Sequence, residues 1–527
     1  MRKSFFYIFS ILFISVFLRL YPTIITGLPF STDSWPLIRN SEKIMEFTPI
    51  PLQGEIFDGY NIYWPISQIF GVVSSEVLSV APIDIMRLFI PFSASLSPLM
   101  IYLLVKRILN NELLSFMAGL LFAAGGPHAI FTAGVTKESF TSMLFLASLY
   151  FFLFSRGITG FLAFSVTSLA VIMGHHLTYV VLMVILVNIF FVEAFLPKLL
   201  KGSLCERVGK LVFLITAGLT YYATYASSGL KITLDFSDLL SAFSFQVILF
   251  VAMFYVVVRP ISKFFLILWI FHVLAAFTGL VINQIRPFVA GSPQLSQQVF
   301  FYASMLIFLG LFAAIGMYEV KKSGVDKKLY PILFWLSSTL GLEAYAIFGA
   351  NPSFSLVLTY RLPNFIIPAV GVMAAASTLA NATSRTLRLA SSICVVFLAS
   401  TMLMQSYSAI ILQENYLGYH WLYFPQDFQQ ALWIRDYGGD AIVYGDLKVA
   451  YLVKDYFGLR VDSAKGYAIL AGNEKGVLDG LLMTYQAMRK NGYVLGHYGV
   501  ELPRGWEEKL MGGDVLYSSR GNVICSL

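Results

Sequence analysis

Residues 62–80, IYWPISQIFGVVSSEVLSV, decide how the chain is threaded. A bilayer core of roughly 30 Å takes about 20 apolar residues of helix, and this stretch has the length. It also carries Pro65, Gln68 and Glu76, which leaves it between a span and a helix lying at the membrane surface. Counted as a span, it inverts every loop that follows, so the charges of those loops choose between the two readings.

The surrounding chain is that of a polytopic membrane protein. Of its 527 residues 57% are hydrophobic and only 12% charged, and the mean hydropathy of +0.74 lies outside the range of soluble domains. The first apolar run, 4–21, follows Arg2 and Lys3 like a signal peptide. It lacks a small-residue cleavage site and more runs follow, so it reads as an uncleaved first span. After it come 88–106, 113–132, 139–155, 160–175, 177–196, 211–227, 241–258, 264–282, 298–318, 330–349, 363–380 and 388–408. With 62–80 kept at the surface these make thirteen.

On that count, with the N-terminus inside, the inner loops collect Arg2/Lys3, Lys106/Arg107, Arg156, Lys198/Lys201/Arg207/Lys210, Arg259/Lys263, Lys321/Lys322/Lys327/Lys328 and Arg385/Arg388. Every inner loop is net positive, as membrane insertion favours. The first outer loop, 22–87, holds Asp33, Glu42, Glu46, Glu55, Asp58, Glu76 and Asp84 against Arg39, Lys43 and Arg87. Treating 62–80 as a span would put the basic loops outside. The net charge of +7 is thereby explained without nucleic acid.

Residues 409–527 differ in kind, because charge and glycine return and no span-length run remains. AIVYGD, LRVDS, YVLGHYG, DVLYS and NVICS read as short strands. FPQDFQQALWIRDYG and NEKGVLDGLLMTYQAMRKNG read as helices between them. The expected division is a membrane domain over 1–408 and an outer α/β domain over 409–527. Cys205, Cys394 and Cys525 lie far apart without CxxC spacing, so neither a metal knuckle nor a disulfide framework is expected. No repeat, P-loop or GxGxxG fingerprint is present.

Ionisable groups near membrane depth tend to mark function, and several gather on the outer side. Asp33 lies in STDSW after the first span, Lys137 and Glu138 in GVTKESF, and His175 and His176 in MGHHLTY. Arg286 in NQIRPF and Arg361 in LTYRLP sit at the outer ends of spans. Each has a plainer reading. Asp33 is also a helix cap, Lys137 and Glu138 a solvated turn at a helix start, the histidines interface anchors, and Arg361 a snorkelling side chain. Trp35 either stacks on a sugar or anchors its loop at the membrane interface. The sequon Asn381-Ala382-Thr383 falls on the inner side and carries no meaning there.

The order of a first span, a long outer loop opening with STDSW, the turn AGVTKES, the turn GHHLT and an outer C-terminal domain resembles the GT-C superfamily of membrane glycosyltransferases. The thirteen-span plan is similar to the catalytic subunit of archaeal oligosaccharyltransferase. The resemblance covers most of residues 1–410, as an arrangement rather than as long identities. It implies a GT-C-like fold of about 13 transmembrane helices in a cell membrane, archaeal by this likeness. It also implies transfer of a sugar from a polyprenyl (dolichyl) phosphate donor to a glycan, lipid or protein acceptor on the extracytoplasmic face. In such an enzyme Asp33 corresponds to the first-loop acidic residue that contacts metal or acceptor, and serves here as the base. Arg361, then Arg286, would face the lipid phosphate, while Lys137, Glu138, His175, His176 and Trp35 would hold the sugar. Mg²⁺ or Mn²⁺ on Asp33, Glu138 and His175 is the implied metal.

Three departures narrow the reading. Where the family has an acidic motif in the second outer loop, only Glu138 keeps a carboxylate, and where oligosaccharyltransferases carry WWDYG this chain has WIRDYG at 433–438. The outer loop 283–297 is also short and lacks a glutamate. A monosaccharide transferase fits these departures better than a peptide glycosylase. The competing reading is a transporter or glycolipid flippase, against which stands the absence of paired, broken helices in a two-half repeat; a receptor or scaffold whose outer domain binds a partner is the third.

Overall fold

The computed structural model describes residues 2–47, 57–199, 203–229, 235–259, 263–286, 297–379, 385–411, 420–473, 479–495, 498–510 and 514–527. The sequon 381–383 and most of the loop 283–297 lie outside these residues. All thirteen predicted spans are helical. Among the described residues eight helices are each long and apolar enough to cross a bilayer by length and composition. The stretch 113–132 is instead split at Gly125 into Glu112–Ala124 and Gly126–Phe131, and 363–380 forms the shorter helix Pro363–Ala376. From 62–80 comes the helix Ile66–Leu78, of 13 residues. At about 1.5 Å per residue it is roughly 20 Å long, too short for the membrane core. The chain is an α-helical polytopic membrane protein with a small C-terminal α/β region.

By packing the chain divides into two compact units. The first comprises Met1–Phe17, Ser93–Ala129 and Phe140–Ser406. Its core is aliphatic and aromatic, and small residues let its helices close on one another as in other membrane bundles. A Cβ on Gly316 would fall 1.7 Å from the carbonyl oxygen of Met373, so the helix Gln297–Lys322 packs on Pro363–Ala376 only because glycine stands there. Some polar groups at depth are paired with one another: Asn188 Nδ2 donates to Ser338 Oγ at 2.7 Å and Gln246 Nε2 to Ser338 O at 2.9 Å. Two of the basic loop residues are also held by carboxylates, Arg207 by Glu193 at 3.2 Å and Lys321 by Asp326 at 2.7 Å.

The second unit comprises Leu18–Phe92, Ile130–Ser139 and Tyr407–Leu527. Packing therefore groups the first long loop with the C-terminal residues, rather than dividing the chain at a single point near 408. A five-stranded sheet runs in the order β2-β1-β3-β7-β6, with β1 Val443–Tyr444, β2 Val461–Asp462, β3 Leu481–Thr484, β6 Val515–Ser519 and β7 Asn522–Ser526. β1 pairs in parallel with β2 and β3, while β7 runs antiparallel between β3 and β6. β4 Tyr493–Leu495 and β5 Tyr498–Val500 form a separate hairpin. The predicted helix over 473–492 is corrected. Its LLMT portion is β3, buried along its whole length and paired on both edges, and of its described residues only Met488–Asn491 are helical. Four successive apolar residues fit a strand with both faces covered as well as a helix, and pairing decides it.

Trp35 belongs to the core of this unit. It is fully buried and meets the rings of Tyr423, Tyr456 and Phe428 at 5.1–5.8 Å. That corrects both of its expected roles, because an enclosed ring neither stacks on a sugar nor anchors a loop at the membrane surface.

Candidate functional site

Two of the stretches singled out in the sequence meet in the second unit. The helix Arg2–Thr26 ends at Gly27, and the chain turns through Ser31 into the helix Ser34–Glu46. Ser31 has φ +81, a left-handed conformation that costs a non-glycine residue energy and tends to persist where function needs it. Its N–H is held by the carbonyl of Trp421 at 2.9 Å. Ser34 Oγ donates to Phe30 O at 2.5 Å and accepts the N–H of Val135 at 3.0 Å, joining segments 101 residues apart. A Cβ on Gly134 would lie 2.6 Å from Phe30 O, so STDSW and AGVTKES approach this closely only through glycine.

Asp33 precedes the helix Ser34–Glu46 without a capping hydrogen bond from its side chain. The plain reading of it as a cap therefore does not describe this carboxylate, which is half-buried. Its field reaches Asp455, as do those of Asp58, Lys454 and Arg39. Asp455 is pushed up to about 6, by burial first, with Asp58 and Asp33 adding to the rise and Lys454 and Arg39 opposing it.

Thr136 caps the helix Lys137–Phe154, its Oγ1 accepting the N–H of Ser139 at 3.0 Å. Lys137 and Glu138 thus occupy the first turn, and both are buried, which corrects the reading of a solvated turn. The positive end of a helix suits Glu138 and disfavours Lys137. The ammonium of Lys137 instead lies 3.9 Å from the ring centre of Tyr60 and 4.8 Å from that of Trp64. Cation–π contacts of this kind reach about 2 kcal/mol once desolvated. Asp58 fixes the turn that brings those rings, accepting the N–H groups of Tyr60 at 3.1 Å and Asn61 at 2.8 Å.

Sequence reasoning missed Arg19. It is fully buried in the first span, and its Nε donates to Thr132 Oγ1 at 2.8 Å, on the same short segment that carries Lys137 and Glu138. The signal was present: an arginine inside an apolar span is costly enough to suggest a function. Asp455 was missed because nothing in its local sequence sets it apart from a solvated turn.

The other candidates belong to the first unit. His175 is buried at the junction of Gly157–Gly174 and His176–Phe195, with Nδ1 2.8 Å from Thr178 Oγ1. A ring this deep is not a surface anchor. His176 packs edge-on against it at 5.0 Å. Arg361 ends the helix Pro352–Arg361 and donates from Nε to Tyr360 Oη at 3.2 Å, while Arg286 is exposed just beyond the helix Lys263–Ile285. Among the described residues no group of three His, Cys, Asp or Glu side chains is placed to hold a metal ion; of the expected ligands, Asp33 and Glu138 belong to the second unit and His175 to the first. No chemical step is assigned to a metal.

No family model and no curated sequence matches the chain. In structure it is similar to the archaeal oligosaccharyltransferase AglB from Archaeoglobus fulgidus, solved with an inhibitory peptide and a dolichol-phosphate. The TM-score is 0.58 at 12% identity, over 92% of this chain and 70% of that one. ArnT from Cupriavidus metallidurans, bound to undecaprenyl phosphate, aligns over 99% of this chain and 97% of that one at 12% identity with a TM-score of 0.38. At this identity the likeness shows the fold alone: the chain shares the fold of that archaeal oligosaccharyltransferase, as its sequence resemblance led one to expect.

Proposed function

We propose that the protein is a membrane glycosyltransferase that moves a sugar from a polyprenyl (dolichyl) phosphate to an acceptor hydroxyl on the extracytoplasmic face, with its N-terminus cytoplasmic. The observation that carries this reading is the joining of STDSW to AGVTKES, which sets Asp33 on one strand of the contact and buried Lys137 and Glu138 on the other. Arg19 reaches the same short segment through Thr132. The dolichol-phosphate of the similarly folded AglB supports a lipid-phosphate donor.

In the reaction the bond between the anomeric carbon and the phosphate oxygen breaks while the acceptor oxygen forms its bond to that carbon. Asp33 takes the acceptor's proton, a role worth roughly 10²–10⁴ in rate. The departing lipid phosphate gains charge, and Arg19 and Lys137 stabilise it; a single preorganised donor of this kind contributes on the order of 10²–10³ in kcat. This adds Arg19 and Lys137 to Arg361 and Arg286, the arginines expected to face the lipid phosphate. Glu138 orients the sugar hydroxyls. Mg²⁺ or Mn²⁺ enters only as a question for chelation.

The test is sugar release from radiolabelled polyprenyl-phosphate monosaccharides by the purified protein, its Arg19→Met and its Asp33→Ala variants, with and without EDTA. Turnover lost in both variants is expected. Full activity in Asp33→Ala would remove the proposed base, and full activity in Arg19→Met the proposed part of its buried charge in stabilising the phosphate.

A further inference from the structure

The C-terminal α/β region contains a cavity of about 430 Å³ that the reaction above does not use. It lies among the first turn of the helix Pro425–Tyr437, the segment 485–491 and Asn522. The size is that of a small-ligand site. Its buried end is a closed polar network. Lys448 pairs with Asp427 Oδ2 at 3.1 Å, Asn522 Nδ2 donates to Asp427 Oδ1 at 2.8 Å, and the N–H of Phe424 donates to Asp427 Oδ2 at 3.0 Å. These bonds make this end rigid, and behind it the buried carboxylate of Asp446 accepts a hydrogen bond from the hydroxyl of Tyr485 and its field reaches Lys448.

The exposed end is cationic. Arg489 and Lys490 line it, and Arg489 shares only a surface pair with Glu507 at 3.4 Å. The amides of Gln426, Gln486 and Asn491 and the ring of Phe424 line the cavity as well, while the ring of Tyr485 is taken up by Lys448. Amide groups exchange hydrogen bonds with hydroxyls as donor and acceptor alike. Aromatic faces receive the C–H side of a pyranose, and the cations require an anion. Two cations at one end of a half-open pocket do not follow a nucleic-acid backbone.

We propose that this cavity binds an acidic saccharide, a sugar carrying a carboxylate or sulfate. Binding stands on the cavity alone; naming that saccharide as the acceptor rests on the transferase reading.

Calorimetry on the full chain in detergent tests it. The probe is a tetrasaccharide alternating glucuronic acid and N-acetylglucosamine. The comparators are the neutral N-acetylglucosamine tetramer, inorganic phosphate and a hexaglutamate peptide. The acidic tetrasaccharide is expected to bind at least tenfold more tightly than any comparator. The double variant Arg489→Gln/Lys490→Gln is expected to lose at least tenfold in affinity with its melting temperature unchanged, because both residues are exposed. Asp33→Ala is expected to abolish transfer and leave this binding intact, which separates failure of the cavity from failure of the transferase reading. Absence of binding at millimolar probe, equal binding of any comparator, or undiminished affinity in the double variant would overturn the proposal.

Discussion

Lys137 and Lys448 are both buried lysines in the first turn of a helix, and each lies beneath two aromatic rings. Lys137 has Tyr60 and Trp64 at 3.9 and 4.8 Å, and Lys448 has Tyr485 and Tyr423 at 4.3 and 5.1 Å. The position is unfavourable for a cation in both cases. Around Lys448 the fold corrects the misfit with Asp427, whose remaining lone pairs are taken by Asn522 and the Phe424 N–H. Around Lys137 it arranges ring faces from the first long loop, and a little earlier in Lys137's own segment Gly134 packs against the strained Ser31. Lys448 is the lysine the fold needs, and Lys137 is the one to which the proposed reaction gives a part.

The comparison breaks if the two lysines respond alike. Lys448→Met leaves Asp427 charged and buried, and removing one partner of such a pair costs about 3–5 kcal/mol. Denaturant unfolding in detergent should register that loss. Lys137→Met should lower kcat by roughly 10²–10³, about 2.7–4 kcal/mol of transition-state stabilisation, with a change in unfolding free energy no larger than the cation–π contacts supply. Gly134→Ala sharpens the contrast, since the added methyl presses on Phe30 O and must part the two segments. Overpacking of this kind costs about 1–3 kcal/mol, and turnover should fall with stability. The smallest effect concerns Asp455. Its carboxyl is raised from 3.8 to about 6, so the folded protein holds a proton that the unfolded chain has released, and stability falls as pH rises from about 4 through about 6. Asp455→Asn should remove that fall and be more stable than the wild type at pH 7, as read from melting temperatures across the range. Lys454, Arg39, Asp58 and Asp33 are the charges that set its size.

Much of this fold was legible. Span-length apolar runs define helices by themselves, and the charge of their loops settled 62–80, which the short helix Ile66–Leu78 accommodates. The strands AIVYGD and NVICS and the helix ending at WIRDYG also stand where turn residues bound them. LLMT was misread because a run buried on both faces has no period to show. The site was legible only in pieces. STDSW and KES announce themselves as polar groups at span ends, whereas Arg19 is masked by the apolar run around it. The bond from Val135 to Ser34 is tertiary, and no local pattern in either segment announces it. Trp35 was misplaced for a related reason: the rings that enclose it come from residues 423–456, far along the chain.

The most direct measurement is single-turnover transfer of radiolabelled sugar from a polyprenyl phosphate by the wild type, Lys137→Met, Lys137→Arg and Lys448→Arg, each at matched folded fraction. The predicted result is loss of turnover in Lys137→Met, partial recovery in Lys137→Arg and near wild-type turnover in Lys448→Arg. Wild-type turnover in Lys137→Met would contradict the assignment of this buried cation to the leaving phosphate.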